Sequence, residues 1–338
     1  MKIMKFFKSN VVLVLTLSLG LGFMSTTAHA KKIVVGVSLP TQRDERWVRD
    51  AAKMKDYAAA HDIDLRLQIS DNDAARQMSQ CENLLAQGID ILLIAPHDAA
   101  SASGIVDSAH QAGIKVISYD RLVMGTNVDL YISFDNFGVG QLQGEYLTAR
   151  VPKGHYAIFA GAPTDNNAKL FREGALSVIK PLVDKGDIKI VADQWIADWQ
   201  PSVAMNLMQN ALTANNNKID AVLAPNDNTA GGIITALDGV GLAGKVPVTG
   251  QDAEVTGAKR IMKGTQGMTV FKDTRALAAA ALDAAVLMVN GKDPGATSRV
   301  NNKAVDVPAI LLKPVVVDAS NLTAVLVESG YLKKEDVQ

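Results

Sequence analysis

From Lys31 onward, short and nearly continuous apolar runs alternate with longer amphipathic stretches. The runs are KIVVGVSL, DLRLQIS, DILLIAP, KVISY, LYISF, HYAIFAG, IKIVADQ, DAVLAP, VPVTGQ and MTVF. Nearly all are rich in Val, Ile and Leu and lack the apolar/polar alternation of a strand with one wet face, so strands covered on both sides are expected. Between them, helical periodicity predicts helices near 46–61, 73–87, 99–112, 137–150, 167–184, 201–214, 229–241, 254–263 and 274–290. Strands alternating with helices indicate βαβ units. The expected fold is α/β, with two doubly wound parallel-sheet domains of about five strands each.

The amino end breaks the pattern. Lys2, Lys5 and Lys8 precede an apolar run from Val11 to Met24 and then Ala28-His29-Ala30, the layout of a secretory signal peptide cleaved after Ala30. The apolar run is shorter than the ~20 residues that span a bilayer, and no cysteine stands at the cleavage point to carry a lipid. An exported, unanchored chain beginning at Lys31 is expected.

The remaining 308 residues (338 minus 30) exceed one ordinary domain of roughly 100–200 residues. We expect one lobe from residues 31–133 plus 274–303 and another from 134–273 plus 304–338. No flexible linker joins them. Leu130–Asn136, Phe271–Arg275 and Asn302–Asp306 are the expected crossings, and three crossings make a hinge that bends as a unit. The Ala-rich helix from Thr274 has no partner unless it returns to the first lobe.

Without Lys2, Lys5 and Lys8 the chain carries 31 basic and 35 acidic residues, a net charge of −4. That balance, with no basic cluster, argues against nucleic acid as a partner. Cys81 is the lone cysteine and falls on a helical stripe with Met78, Leu84 and Leu85, as a core thiol would. Gly239–Lys245 fits the GxxxxGK phosphate-loop spacing, but Val246 replaces the required hydroxyl residue and the glycines end a helix. Gly138, Gly140 and Gly144 miss the dinucleotide spacing by one residue and suit close helix packing instead. No HExxH, CxxC or GxSxG occurs, and His61, His97, His110 and His155 lack metal-ligand spacing. Neither metal nor cofactor is expected, and no catalytic residue.

What recurs is polar chemistry at strand ends, which in open parallel sheets face the ligand crevice. Asp120-Arg121 follows KVISY; Asp165-Asn166-Asn167 follows HYAIFAGAPT; Asn226-Asp227 follows DAVLAP; Gln251-Asp252 follows VPVTG; Lys272 follows MTVF. Carboxylates, amides and cations together suit a ligand with many hydroxyls, each of which donates and accepts. A sugar is the natural candidate. Helix capping competes for these residues; it suits Asp71 and Asp98, whereas ligand contact is favoured for Asp227 and Asp252, and both roles can coexist. Trp199 sits in ADWQP with no apolar partner at helical spacing, so its indole is free to stack on a pyranose face. Trp47 shares a stripe with Ala51, Met54 and Ala58, leaving core and cleft mouth both open. Trp195 ends a strand, and its facing stays open.

ERW, YDR, YISFDN, the stretch from Asp165 to Arg172, DQW, LTANNNKIDAV, the stretch from Asn226 to Gly232, GQDA and GTQGMTV together resemble the D-xylose-binding members of the pentose/hexose group of periplasmic substrate-binding proteins, across essentially the whole mature chain. Those proteins serve ATP-driven importers. The resemblance implies a sugar held between two lobes by Arg46, Asp120, Arg121, Asp165, Asn167, Asn226, Asp252 and Lys272, with Trp199 on the ring. It also implies a periplasmic monomer that hands its sugar to an inner-membrane permease. Phe271 stands where a Tyr precedes the lysine, and Thr41-Gln42 stand where acidic residues are expected, leaving Arg43 and Arg46 with fewer counter-charges. Related sugars such as ribose, arabinose or galactose remain alternatives. A secreted sugar-modifying enzyme would need an acid with a raised pKa, and a sugar-responsive repressor would need a basic headpiece where the signal peptide stands.

Overall fold

A computed structural model describes residues 32–337; the expected signal peptide at 1–30 lies outside them. The strands run β1 (Val34–Leu39), β2 (Asp64–Ile69), β3 (Ile91–Ile94), β4 (Lys115–Tyr119), β5 (Leu130–Phe134), β6 (Gly154–Ala160), β7 (Ile188–Trp195), β8 (Ala221–Leu223), β9 (Met268–Phe271), β10 (Ser298–Asn301), β11 (Asp306–Leu312) and β12 (Val315–Asp318). The helices are α1 (Glu45–Ala60), α2 (Ala74–Ala86), α3 (Ser103–Gln111), α4 (Asn136–Arg150), α5 (Asn166–Asp184), α6 (Pro201–Ala214), α7 (Asp227–Asp238), α8 (Val255–Lys263), α9 (Thr274–Val289) and α10 (Lys334–Val337).

A seven-stranded sheet has the order β10-β11-β5-β4-β3-β1-β2, parallel except for the β10–β11 hairpin. The apolar runs β1, β3, β4 and β5 are covered on both faces, as their composition requires; β2, whose DLRLQI alternates, is an edge strand and half-buried at each position. On one face α1 and α9 pack through Trp47, Met54, Leu277 and Leu282; on the other, α2 and α3 pack through Leu84, Ile105 and Val106. Cys81 is buried in that second layer, where loss of solvent pushes its thiol up to about 11 and leaves it unreactive.

The second sheet begins β7-β6-β8, all parallel. VPVTGQ, expected as a full strand, forms a single bridge from Val248 to Val222 and then exchanges hydrogen bonds with β9, Val270 N to Gly250 O and Asp252 N to Val270 O. The antiparallel ribbon β9–β12 thus extends this sheet. α6 and α7 cover one face and α4 and α5 the other. The α4–α5 crossing depends on missing side chains. A Cβ on Gly140 would strike the Phe171 carbonyl, one on Gly174 the Phe137 carbonyl, and one on Gly144 the Ala175 carbonyl. Gly138 does a different job, lying under the Asp135 cap whose carboxylate accepts from its N–H at 2.9 Å.

The chain passes between the sheets at β5–α4, at β9–α9 and between β11 and β12. The third passage corrects the expectation at Asn302–Asp306, and with it the boundary at 303/304. That stretch is the β10–β11 turn, fixed to the first sheet because Asn302 Nδ2 donates to Val123 O at 3.1 Å and Thr126 O at 2.7 Å. β11 then pairs with β5, so residues 306–312 stay with the first sheet and the crossing falls at residues 313–314.

Candidate functional site

The carboxyl ends of the two sheets face each other across a pocket that both of them line. From the first sheet, β4 delivers Asp120 and Arg121, and the opening turn of α1 delivers Arg46 and Trp47. From the second come Asp165 and Asn167 at the start of α5, Trp199 in the corner after β7, Asn226 ahead of α7, Asp252, and Lys272 after β9. These ten residues, all named from the sequence, line one cavity, whereas Asp227, favoured there for ligand contact, does not. Gln251, named at its strand end, lines it too, as do Asp44 and Phe171, which the sequence did not mark.

Charge organises the walls. Arg46, only 5% exposed, gives Nε and Nη2 to Asp50 at 3.1 and 2.8 Å and Nη1 to Asp120 at 2.7 Å. The shortage of counter-charge expected from Thr41-Gln42 is made good one helical turn later by Asp50, which also accepts from the Tyr119 hydroxyl. Arg121 Nε meets Asp165 Oδ2 at 2.9 Å, and Lys272 Nζ meets Asp252 Oδ1 at 3.0 Å. Burial alone would raise Asp120, but Arg46, Lys272 and Arg121 together hold its carboxyl below the usual range. Asp165 goes the other way: burial outweighs Arg121 and raises it.

Backbone geometry aims these groups. Asp120 has φ 59°, Asp252 φ 90° and Trp199 φ 56°, three non-glycine residues in the left-handed region at one pocket. Asp tolerates that conformation; a Trp there is strained, and such strain persists only where the surroundings enforce it. Around Asp120 the enforcement is visible. Its carbonyl accepts from Tyr131 Oη at 2.9 Å, Ser133 Oγ at 2.7 Å and Asn167 Nδ2 at 2.9 Å, and the last of these reaches across the cleft. Asn136 Nδ2 ties the same cluster together through Tyr131, Ser133 and Asn167.

The tryptophans separate. Trp199 is buried with its six-membered ring against Gly161, where a Cβ would overlap it, and its edge near Phe171 at 6.4 Å and 67°. Its Nε1 has no hydrogen-bond partner among the described residues. Trp47 takes both of its open roles, packing in the first core while lining the pocket beneath the Arg46 and Arg121 guanidiniums at 4.3 and 5.2 Å. Trp195 is 37% exposed and lies outside the pocket beside Arg172.

Asp165 and Asn226 cap α5 and α7, accepting from Asn167 N and Thr229 N, both at 2.9 Å, while lining the cavity. Capping and pocket placement coexist. Asp227 corrects the expectation of a ligand contact. It is fully buried away from the pocket, and its carboxylate is taken by Glu254 N, Gln266 Nε2 and Thr269 Oγ1.

Residues 35–293 match the family model of the periplasmic binding protein domain, and the chain belongs to that family of binding proteins. It is 45% identical to the D-xylose-binding periplasmic protein of Escherichia coli K12, over 96% of this chain and 98% of that one. It is 39% identical to the multiple sugar-binding periplasmic receptor ChvE of Rhizobium radiobacter, over 98% and 100% of the two chains. Among solved structures, a carbohydrate transporter solute-binding protein from Chloroflexus aurantiacus in complex with D-glucose superposes with a TM-score of 0.86 at 34% identity, over 91% of this chain and 98% of that one. These relatives are binding proteins, not enzymes.

Proposed function

We propose that the protein captures D-xylose in this pocket and delivers it to the permease of an ATP-driven importer. The observation that carries the reading is the meeting of three buried cations, four carboxylates and two tryptophans from both sheets around one cavity. Ion-paired carboxylates accept, guanidinium and ammonium groups donate, and Trp199 offers an apolar plate, which together complement a pyranose with hydroxyls at its edge and C–H groups on its faces. Arg46, Asp120, Arg121, Asp165, Asn167, Asn226, Asp252 and Lys272 bind hydroxyls, with Trp47 and Trp199 shaping the walls. No bond is made or broken.

The two sheets act as lobes, residues 32–134 with 274–312 and residues 135–273 with 313–337, hinged at the three passages. Sugar touches both lobes only when they are closed, so it favours closure by its differential affinity for that state. Hydrogen bonds to charged groups contribute roughly 1.5–3 kcal/mol each, so eight would exceed the ~8 kcal/mol of a micromolar complex. Desolvating the same groups and ordering the hinge offset the surplus. The leader is removed after Ala30, and the mature chain works as a periplasmic monomer whose closed surface the permease reads.

A second reading, a broader sugar range, is favoured by the relatives. One is named as a receptor for multiple sugars, and the Chloroflexus protein holds D-glucose. Calorimetric titration with xylose, ribose, arabinose and glucose decides: tightest binding of xylose upholds the main reading, comparable affinities uphold the second, and no heat with any sugar overturns both.

A further inference from the structure

Asp227 is a fully buried carboxylate that the sugar site leaves unused. It stands at the first position of α7, yet its oxygens serve other segments. Oδ1 accepts from Gln266 Nε2 at 2.6 Å; Oδ2 accepts from Glu254 N at 3.0 Å and Thr269 Oγ1 at 2.9 Å. The Thr269 hydroxyl in turn accepts from Ala253 N at 3.1 Å. Arg260 closes the arrangement, donating from Nη2 to the Asp227 carbonyl and from Nε to Gln266 Oε1 at 2.9 Å.

Two glycines make the room. A Cβ at Gly250 would fall on Oδ1 and Gln266 Nε2, and one at Gly257 would fall on Oδ2. The carboxylate therefore fills a space shaped for it and joins three segments, each carrying a pocket group: Asn226 immediately precedes it, Asp252 lies two residues before Glu254, and Lys272 lies three after Thr269. The middle segment needs holding. Asp252 and Ala253 both have left-handed backbone, φ 90° and 49°, a conformation costing on the order of 1–3 kcal/mol per residue that persists only under external constraint. The next two amides, Ala253 N and Glu254 N, are the ones tied to Thr269 and Asp227.

We infer that Asp227 is the positioning residue of the second half of the pocket, setting Asn226, Asp252 and Lys272 against the ligand without touching it. The inference rests on the sugar-binding reading for its effect on affinity, but not for its effect on local structure. Every partner of the carboxylate is a donor, so Asp227→Asn must turn an NH₂ toward Gln266 Nε2 or toward Glu254 N and Thr269. Adding Gln266→Glu reverses the mismatch at the first of these, because a carboxylate at 266 accepts from the new amide and still accepts from Arg260, although it gives up the hydrogen bond from Gln266 Nε2 to Met268 O at 3.0 Å.

The test uses the full-length mature protein with D-xylose as probe. Asp227→Asn is expected to weaken binding roughly ten- to hundredfold and to speed amide hydrogen exchange at 252–255 and 269–272 but not in β1–β5. Asp227→Asn with Gln266→Glu is expected to recover part of both losses, the Met268 O contact of Gln266 staying broken. Wild-type affinity in the single variant, or exchange accelerated equally throughout the chain, overturns the positioning role. If the wild type binds no xylose, the sugar reading fails, and the exchange pattern alone still decides the role of Asp227.

Discussion

Glu254 should set the alkaline limit of stability, and Glu254→Gln should lift it. The side chain is 4% exposed and Oε1 has no hydrogen-bond partner among the described residues. Burial, followed by the charges of Asp227, Asp252, Asp44 and Glu45, pushes its carboxyl up to about 9; Arg260 is the cation on its own helix that faces it. Asp44 and Glu45 arrive from the start of α1, where Glu45 Oε2 accepts from Val255 N at 3.0 Å. In the unfolded chain the group titrates near ~4.3. Between those values the folded protein holds a proton that the unfolded chain has lost, so stability falls as pH rises, by about 1.4 kcal/mol per unit. Three units, from pH 5 to pH 8, then cost on the order of 4 kcal/mol. Glutamine mimics the neutral acid and cannot ionise. The variant should match wild type near pH 4 and exceed it at pH 8 by on the order of 2–4 kcal/mol, a Tm difference of several degrees at ~2 °C per kcal/mol for a chain of this size. Calorimetric melts of both proteins from pH 4 to 8.5 test this. Parallel curves, or a variant less stable at pH 8, would show that Glu254 is ionised in the folded protein and refute the reasoning.

Other outcomes follow from the same walls. Asp120→Ala should cost at least tenfold in xylose affinity, measured by calorimetry, while the melt stays cooperative because Arg46 keeps Asp50 as a partner; unchanged affinity removes Asp120 from the site. Saturating xylose should shrink the radius of gyration in small-angle scattering, and an unchanged curve rules out hinge closure. Trp199→Ala should weaken xylose more than ribose or arabinose, since only xylopyranose can hold all its ring hydroxyls equatorial and leave both faces flat; an equal loss for all three makes the indole structural.

Some elements were legible because their chemistry is one-dimensional. A run such as ILLI, buried at every position in β3, announces itself without reference to its neighbours, and the helices between such runs follow from periodicity. The last two strands of the first sheet do not. β11 contains Pro308, which argues against a strand, and β10 reads SRVN with one apolar residue; β11 forms because β5 offers an open edge, and β10 because β11 in turn offers one. Pocket residues were legible where topology alone directs them, at the ends of parallel strands. Asn226 and Asp227 show where that rule runs out. They are neighbours at one strand end, but consecutive side chains at such a corner leave in different directions, so one caps a helix at the cavity wall and the other turns into the protein. Phe171 reads as one more apolar position on a helix, and only the tertiary approach of α5 to the Trp199 corner makes it a wall.

The pairing of charges explains how so polar a cavity can wait for a neutral ligand. An unpaired carboxylate at the burial of Asp120 would take up a proton and lose its strength as an acceptor; with Arg46, Lys272 and Arg121 beside it, it stays ionised. The cations benefit equally, since Arg46, charged against both Asp50 and Asp120, retains its full set of donors. A sugar entering this cavity meets donors and acceptors already charged and already aimed, and bears little of the cost of arranging them. Discrimination then falls to stereochemistry. A hydroxyl in the wrong configuration leaves one charged group desolvated without its partner, a larger penalty than any lost contact area, and rigid ion pairs cannot swing to rescue the misfit. Selectivity should therefore weaken first when a pair is loosened, before affinity for the best sugar is lost.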